Sequence, residues 1–133
     1  MPATGRRNFS SGSPWEPKFG YSRAVRVGPH VHVAGTTGTD ADGNVVSADA
    51  YGQAKAALDK IEAVLAQAGA SMKDVVRTRI YVTRIGDFEA IARAHAERFA
   101  DVRPASTLVE VSAFVGPGML VEIEADAYVE DGK

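Results

Sequence analysis

Two acidic side chains lie on one face of the last predicted strand. Residues 119–129 alternate between apolar and polar side chains, a period of two that is typical of a half-buried strand. Glu122 and Glu124 therefore share the polar face, where a carboxylate can act as a general base that activates water. Ion pairing with Arg77 or Arg79, on another alternating segment, is the structural alternative. The sequence leaves both interpretations open.

The sequence offers few residues for metal or thiol chemistry. It contains no cysteine, which excludes disulfides, thiolate nucleophiles and thiolate metal ligands. His30 and His32 are two residues apart, but a metal site needs a third ligand, and the sequence nominates none. Residues 40–44 begin like a calcium loop, yet Val45 and Tyr51 stand where that loop requires glycine and glutamate. We therefore expect no metal and no cofactor, and interpret residues 40–44 as a turn.

Length and charge narrow the class of protein. The 133 residues suit one domain, residues 1–133, of which we expect residues 1–5 to be flexible. A net charge of −2 and a pI near 5.9 argue against a nucleic acid partner, which needs a basic surface. No apolar run approaches the roughly 20 residues that span a membrane, and no apolar stretch follows the basic residues near the N-terminus. We expect a cytoplasmic protein with no membrane partner.

Two segments predict helices with one apolar face. Residues 48–68 carry apolar side chains at helical spacing, and Asp49 and Gly69 suit its start and its end. Residues 87–100 repeat the pattern. His95 lies on the apolar stripe of this second helix. We therefore expect His95 to be a core or interface residue with a local hydrogen bond rather than a catalyst.

Five alternating segments predict strands, and residues 6–10 are a candidate for a short extra edge strand at the front. Gly35 inside one of them indicates a bulge or a close backbone approach. Residues 11–20 read as a loop whose two aromatic side chains, Trp15 and Phe19, cover the core or form the wall of a pocket or an oligomer contact. The last two predicted strands, separated by a Gly-Pro-Gly loop, read as an antiparallel pair. The predicted strands are residues 6–10, 21–28, 31–39, 75–83, 103–111 and 119–129.

These elements predict an α+β fold in which both helices cover one face of a single mixed β-sheet. The opposite face is then too charged for the core of a monomer and too mixed to be simply solvated. Such a face suits an oligomer interface with paired charges, or a ligand site. Its predicted members are Thr36, Arg77, Arg79, Tyr81, Leu108, Glu122 and Glu124.

Several short segments, in this order and spacing, resemble the Rid/YjgF family of reactive intermediate deaminases, also described as endoribonuclease L-PSP-like proteins. The resemblance extends from about residue 20 to residue 129. It implies a chorismate-mutase-like (YjgF-like) fold and a homotrimer that binds a small-molecule ligand in clefts between subunits. The segments are Gly20-Tyr-Ser, Val33-Ala-Gly, Ala68-Gly-Ala, residues 75–83, Arg103-Pro-Ala and Val121-Glu-Ile-Glu-Ala.

The resemblance also implies roles for individual residues. Glu122 matches the acid that positions the attacking water, and Tyr21 matches a tyrosine that lines the cleft. The chemistry of the deaminase branch is hydrolysis of enamines and imines, such as 2-aminoacrylate, to keto acids and ammonia. The substrate-binding residues predicted here are Tyr21, Ala34, Gly35, Ser106 and Leu108.

The sequence departs from the family pattern inside the expected cleft. Ser106 stands where the deaminases carry an arginine that grips the substrate carboxylate, and a serine supplies no charged fork. Leu108 replaces a cysteine, Ala92 an asparagine and His95 an aromatic residue. Arg103 precedes the Pro-Ala pair and projects differently. We therefore expect a protein without typical 2-aminoacrylate deaminase activity.

Three functions stay open at this point. The first is a trimer that binds a small metabolite and hydrolyses an imine, an enamine or a related bond. The second is a non-catalytic ligand-binding or regulatory trimer, which the serine at position 106 favours. The third is ribonuclease activity, which the acidic pI disfavours.

Overall fold

A computed structural model describes residues 5–130, which form one six-stranded sheet, three α-helices and two 3-10 turns. The predicted flexibility of residues 1–5 falls, apart from Gly5, outside the described residues. Within that range, no helix has the length and apolar character needed to cross a membrane. The strands are β1 (Arg6–Phe9), β2 (Ala24–Val27), β3 (His30–Thr37), β4 (Val75–Val82), β5 (Ala105–Glu110) and β6 (Val121–Tyr128). The helices are α1 (Trp15–Phe19), α2 (Ala50–Gln67) and α3 (Phe88–Phe99), and the turns are Met72–Asp74 and Ile85–Asp87.

The sheet has the order β1-β2-β3-β6-β4-β5. All neighbouring strands are antiparallel except β4 and β5, which are parallel. The predicted antiparallel pairing of the last two strands is therefore wrong, because β6 lies between β3 and β4 and does not contact β5 as a partner. The cause is α3, which carries the chain from β4 back to the start of a parallel β5, as a parallel connection requires.

Helices α2 and α3 cover the same face of this sheet, so the predicted mixed α+β architecture is confirmed. Asp49 caps α2 as predicted, its side chain accepting a hydrogen bond from the Gly52 amide at 2.6 Å. Leu58, Ile61 and Leu65 of α2 are fully buried against the sheet. Burial of each such side chain contributes about 1.5–3 kcal/mol of hydrophobic stabilisation.

A β-bulge in β3 reverses the faces to which its residues point. The register against β6 shifts between Val33 and Thr36, where β3 has one more residue than its partner. Gly35 lies in the bulge, as predicted. Because of the extra residue, Thr36 pairs with Ile123 and is buried on the helix side, so its predicted place on the charged face is wrong.

Leu108 also lies on the other face from the one predicted. It pairs with Ile80 in the parallel β4–β5 register and packs against the core beneath the helices. The predicted face depended on pairing β5 with β6, and the parallel partner places Leu108 beside a core residue instead.

The segment predicted as a loop at residues 11–20 contains the short helix α1. Pro14 precedes it, and Gly20 ends it with a positive φ of 85°, where a glycine is favoured. The Gly20 amide closes the last turn on the Glu16 carbonyl at 2.8 Å. This turn directs the chain into Tyr21 and β2.

One buried amide side chain on α2 connects the helix to two loops. Gln53 donates to the carbonyls of Ser47 and Gly118, both at 2.9 Å, and accepts from the Leu120 amide at 2.8 Å. The second loop leads directly into β6. Gln53 therefore helps to set where β6 begins.

We expect Gln53→Met to lower the free energy of unfolding by about 1–3 kcal/mol, because backbone groups of both loops lose their partner. Urea denaturation measures the change. Gln67→Met is the matched control, since Gln67 is exposed at the end of the same helix, and it should change stability by less than about 0.5 kcal/mol. Equal effects of the two substitutions would contradict this role of Gln53.

Candidate functional site

A cavity of about 1340 Å³ opens beside α1, the end of β3 and the loop before β6. Four of the predicted site residues line it: Tyr21, Ala34, Gly35 and Glu122. Residues far apart in sequence converge here because β3 and β6 are neighbours and the chain enters β2 beneath α1. Concave sites with a few convergent polar groups are typical of small-molecule binding.

Glu122 lies half-buried on β6, where it faces this cavity. Burial raises the pKa of its carboxyl, the charge of Arg23 lowers it, and the charge of Glu124 raises it, with a net rise. Ion pairing with Arg77 or Arg79, the structural alternative, is absent from residues 5–130. Arg79 pairs instead with other carboxylates on β6.

Gly35 is a glycine because the Glu122 side chain touches its backbone. A Cβ at this position would lie 2.5 Å from Oε2 of Glu122 and 2.8 Å from its carboxyl carbon. The bulge therefore presents bare backbone to the carboxylate. This close approach is the physical reason for the glycine in β3.

Arg23, a buried residue just before β2, lines the cavity and was not among the predicted site residues. Its guanidinium donates to three oxygens, the Gly35 carbonyl at 2.5 Å, the Thr36 hydroxyl at 3.0 Å and the Tyr21 hydroxyl at 2.6 Å. Sequence alternation indicates only that residue 23 belongs to a strand. The bulge supplies the acceptors, so the contacts could not be read locally.

The counter-ion of Arg23 is Glu16, a buried residue on α1. Its Oε2 lies 3.7 Å from Nε of Arg23. Burial alone would raise the Glu16 pKa, but hydrogen bonds from Ser11 and Ser10 and the charge of Arg23 outweigh it, and the pKa is lowered. Glu16 was also missed, because in sequence it lies in an apparent loop with no periodic pattern.

Lys60 lines the cavity from α2, and its ammonium group is hydrogen-bonded to residues at the end of β3. Its Nζ donates to the Thr37 carbonyl at 2.9 Å and to the Thr39 carbonyl and hydroxyl, both at 3.1 Å. Burial, followed by the charge of Arg23, lowers its pKa. An ammonium group has three hydrogens, and all three have acceptors here. Lys60 therefore fastens the end of β3 to α2.

Apolar side chains form the outer wall of the cavity. Trp15 and Phe19 line it from α1, and Phe114, Val115 and Met119 line it from the loop before β6. Phe19 remains 83% exposed and Val115 77% exposed. Of the alternatives left open for the two aromatics of α1, the structure favours the pocket wall over a cover for the core.

Ser106 and Leu108, the other predicted site residues, lie on β5 and do not line this cavity. The Thr78 hydroxyl lies 2.8 Å from the Ser106 hydroxyl and 2.9 Å from Nε2 of His95. The contact with Thr78 confirms the predicted hydrogen bond of His95, which is half-buried and whose pKa is lowered by burial. A substrate contact for Ser106 or Leu108 stays a prediction.

The sheet face opposite the helices carries a chain of paired charges. Arg79 contacts Glu124 at 3.5 Å and Asp126 at 3.1 Å, and Asp126 contacts His32 at 2.8 Å. The Tyr81 hydroxyl donates to Glu124 at 3.2 Å. Within residues 5–130, no three His, Cys, Asp or Glu side chains are grouped to hold a metal ion. These charged groups pair with one another, whereas Glu122 faces the cavity.

Comparison with known proteins places this chain in one family. The family model described as Endoribonuclease L-PSP matches residues 13–129. The chain belongs to this family, which is the Rid/YjgF family that the sequence motifs resemble.

Individual relatives cover most of the chain. The crystal structure of Rv2704 from Mycobacterium tuberculosis, a member of the YjgF/YER057c/UK114 family, is 52% identical, with a TM-score of 0.86 over 93% of this chain and 99% of that one. A RutC family protein of Pyrococcus abyssi is 38% identical over 83% of this chain and 87% of its own. The 3-aminoacrylate deaminase RutC of Acinetobacter baylyi is 36% identical over 82% of this chain and 86% of its own.

We expect Gly35→Ala to leave the fold intact and to displace the Glu122 carboxylate, because the new methyl group meets only the end of a flexible side chain. Gly38→Ala is the matched control from the same strand exit, where a Cβ would lie 2.5 Å from the Gln53 carbonyl oxygen in the α2 backbone. Thermal denaturation should show a Tm loss of several degrees for Gly38→Ala, which corresponds to about 1–3 kcal/mol.

Gly35→Ala should keep its Tm within a few degrees and change the chemical shifts of the Glu122 carboxyl carbon in NMR spectra. A larger Tm loss for Gly35→Ala than for Gly38→Ala would contradict this assignment.

Proposed function

We propose that this protein binds a small metabolite and hydrolyses an imine or enamine bond in it, with Glu122 activating water. The observation that carries the proposal is a half-buried carboxylate in a cavity, held against Gly35 and without an ion-pair partner in residues 5–130. Because burial raises its pKa, this carboxylate is a stronger base than an exposed one. A general base works best when its pKa lies near the working pH.

The proposed reaction consumes one water and involves no redox step. Ionised Glu122 takes a proton from water while the water oxygen bonds to the carbon of the C=N group. The proton passes to nitrogen, which gives a carbinolamine. The hydroxyl proton of the carbinolamine then moves to nitrogen through Glu122, the C–N bond breaks with its electron pair on nitrogen, and ammonia leaves. The oxygen remains as a carbonyl. An enamine enters the same route after a proton is added to its carbon and one is lost from its nitrogen, which gives the imine.

A relative supports this class of reaction. The Acinetobacter baylyi relative is a 3-aminoacrylate deaminase. Its substrate, by name, is an enamine, so its deamination breaks a carbon–nitrogen bond of the kind proposed here. Ser106, which lacks the charge to grip a carboxylate, argues against efficient turnover of 2-aminoacrylate by this chain.

The alternative function is a non-catalytic ligand-binding or regulatory protein of the same family. The serine at position 106 favours it, because a site that has lost a charged substrate contact can keep its cavity without its chemistry. Turnover by the wild-type protein separates the two functions. The acidic pI argues against ribonuclease activity and a nucleic acid partner.

We further propose a homotrimer with a cleft between each pair of subunits. The paired charges and the exposed Val109 and Tyr128 on the open sheet face support it, as does the free edge of β5. In such a trimer, the edge strand β5 of one subunit, which carries Ser106 and Leu108, completes the cavity of the next.

Light scattering on the purified protein should therefore give three times the chain mass of 14.1 kDa across the micromolar range. Val109→Asp should shift the mass toward the monomer, because it places an uncompensated charge on the proposed interface. A wild-type protein that is monomeric throughout this range would contradict the trimer and the completion of the cavity by β5.

Glu122→Gln should lower kcat/KM for imine hydrolysis by about 100-fold or more, which is the usual contribution of a general base. Ammonia release from an enamine without a carboxylate, such as β-aminocrotonamide, measures it, with 2-aminoacrylate as a poorly used comparison substrate. Asp126→Asn is the matched control on the same strand face. It should lower the Tm through loss of its ion pairs but leave kcat/KM within about twofold.

The stability of Glu122→Gln follows from the raised pKa. In the pH range between the ordinary carboxyl pKa and the raised one, the folded protein binds more protons than the unfolded chain, so stability falls as pH rises. A glutamine at position 122 does not titrate, so the variant does not lose stability in this way. At neutral pH the variant should melt at the same temperature as wild type or higher, and a marked drop in Tm would favour a structural role for Glu122.

A further inference from the structure

The Tyr21 hydroxyl is oriented by a buried arginine rather than by solvent. Nη2 of Arg23 donates to the Tyr21 oxygen at 2.6 Å. The hydroxyl hydrogen therefore points away from Arg23, and no acceptor for it is present among residues 5–130. Tyr21 lines the cavity, so this hydrogen is available to a bound molecule. The arrangement turns Tyr21 into a donor toward the ligand.

The same arginine connects Tyr21 to the proposed base. Nη1 of Arg23 donates to the Gly35 carbonyl at 2.5 Å, and the Gly35 backbone is the surface against which the Glu122 carboxylate rests. Tyr21 and Glu122 are thus held through one side chain that is only 7% exposed. A donor and a base are presented to the same cavity.

The buried cations of the cavity are already committed to protein groups. Arg23 is offset by Glu16, whose lowered pKa keeps it ionised. Lys60 gives its hydrogens to the carbonyls and hydroxyl at the end of β3. Lys18, the remaining cation that lines the cavity, is exposed on α1.

Three carboxylates, Asp40, Glu122 and Glu124, line the cavity as well. A substrate carboxylate bound next to them would meet like charge without a charged fork to hold it. An uncharged acceptor oxygen meets no such repulsion and can still accept from Tyr21.

We propose that Arg23 is a positioning residue that holds the Tyr21 hydroxyl as a donor beside Glu122, and that the site thereby selects imines and enamines conjugated to an uncharged carbonyl, such as an amide, over those that carry a carboxylate. This inference rests on the proposed hydrolysis. It adds the substrate class and the residue that sets it. The carbonyl oxygen accepts from Tyr21, and the carbon that bears nitrogen faces the water at Glu122.

Two matched enamines test the substrate class. β-Aminocrotonamide carries an uncharged amide, and β-aminocrotonate carries a carboxylate in the same place. Hydrolysis of either releases ammonia and leaves acetoacetamide or acetoacetate. Wild-type protein should use the amide with at least tenfold higher kcat/KM. Equal or faster use of the carboxylate would overturn the proposed selectivity.

Variants of the network test the positioning role. Tyr21→Phe should lower kcat/KM for the amide about tenfold or more without moving the pH profile. Arg23→Gln should give a similar loss and move the acid limb of the profile to higher pH, because the charge that lowers the Glu122 pKa is gone. Arg23→Lys keeps the positive charge, so it should give a smaller loss in kcat/KM and a smaller shift of the acid limb than Arg23→Gln.

Arg26→Gln is the matched control. Arg26 lies in β2, three residues after Arg23, and also donates to backbone carbonyls, but it does so away from the cavity, at Gly28 and Ala68. It should leave rates and pH profile unchanged. If Arg23→Gln lowers only the Tm and leaves the pH profile and KM as in wild type, Arg23 is structural and the proposal fails.

A direct titration keeps this inference separable from the proposed hydrolysis. NMR of protein with carbon-13-labelled glutamate follows the Glu122 carboxyl, and Arg23→Gln should raise its pKa. If the wild-type protein hydrolyses neither enamine, the proposed hydrolysis is wrong. The substrate-class inference is then tested by ligand binding alone. Acetoacetamide should then shift the Tyr21 resonances more than acetoacetate does, and no such preference would overturn it.

Discussion

The buried ion pair between Arg23 and Glu16 is the interaction on which the cavity depends. It joins α1, which carries an aromatic wall, to the start of β2 and to the bulge of β3. Removing either partner would leave the other charge buried and uncompensated, which typically costs about 3–5 kcal/mol. The five-residue helix α1 is too short to be stable alone. Its position over the cavity is thus set by this electrostatic contact and by the turn at Gly20.

The bulge in β3 brings the arginine of this ion pair and the Glu122 carboxylate into one cavity. Because one extra residue enters β3 between Val33 and Thr36, the carbonyl of Gly35 turns toward the arginine and its bare Cα faces Glu122. The same shift buries Thr36, whose hydroxyl accepts from the arginine and donates to the Ala34 carbonyl at 2.8 Å. A regular strand would offer neither the acceptors nor the space for a half-buried carboxylate.

The acidic residues of strand β6 differ in their surroundings. Asp126 and Glu124 pair with Arg79, and Tyr81 and His32 complete this network on the open sheet face. Glu122, on the same face, has no such partner in residues 5–130, and its pKa rises through burial. Three carboxylates that look alike in sequence therefore differ in their ion pairing because their cross-strand neighbours differ.

The sequence by itself determined the elements whose signals are local. The apolar spacing of α2 and its cap at Asp49 were predicted, as were the period of two in β4 and β6, the glycine at the bulge and the hydrogen-bonded role of His95. Family motifs also indicated Tyr21 and Glu122, which the fold brings into one cavity. Only the tertiary structure decided that β5 pairs with β4, that Leu108 faces the core, and that Glu16 neutralises Arg23. These features depend on contacts between distant segments and on a register shift of one residue. Neither changes the periodicity of a single segment, so neither can be predicted from it.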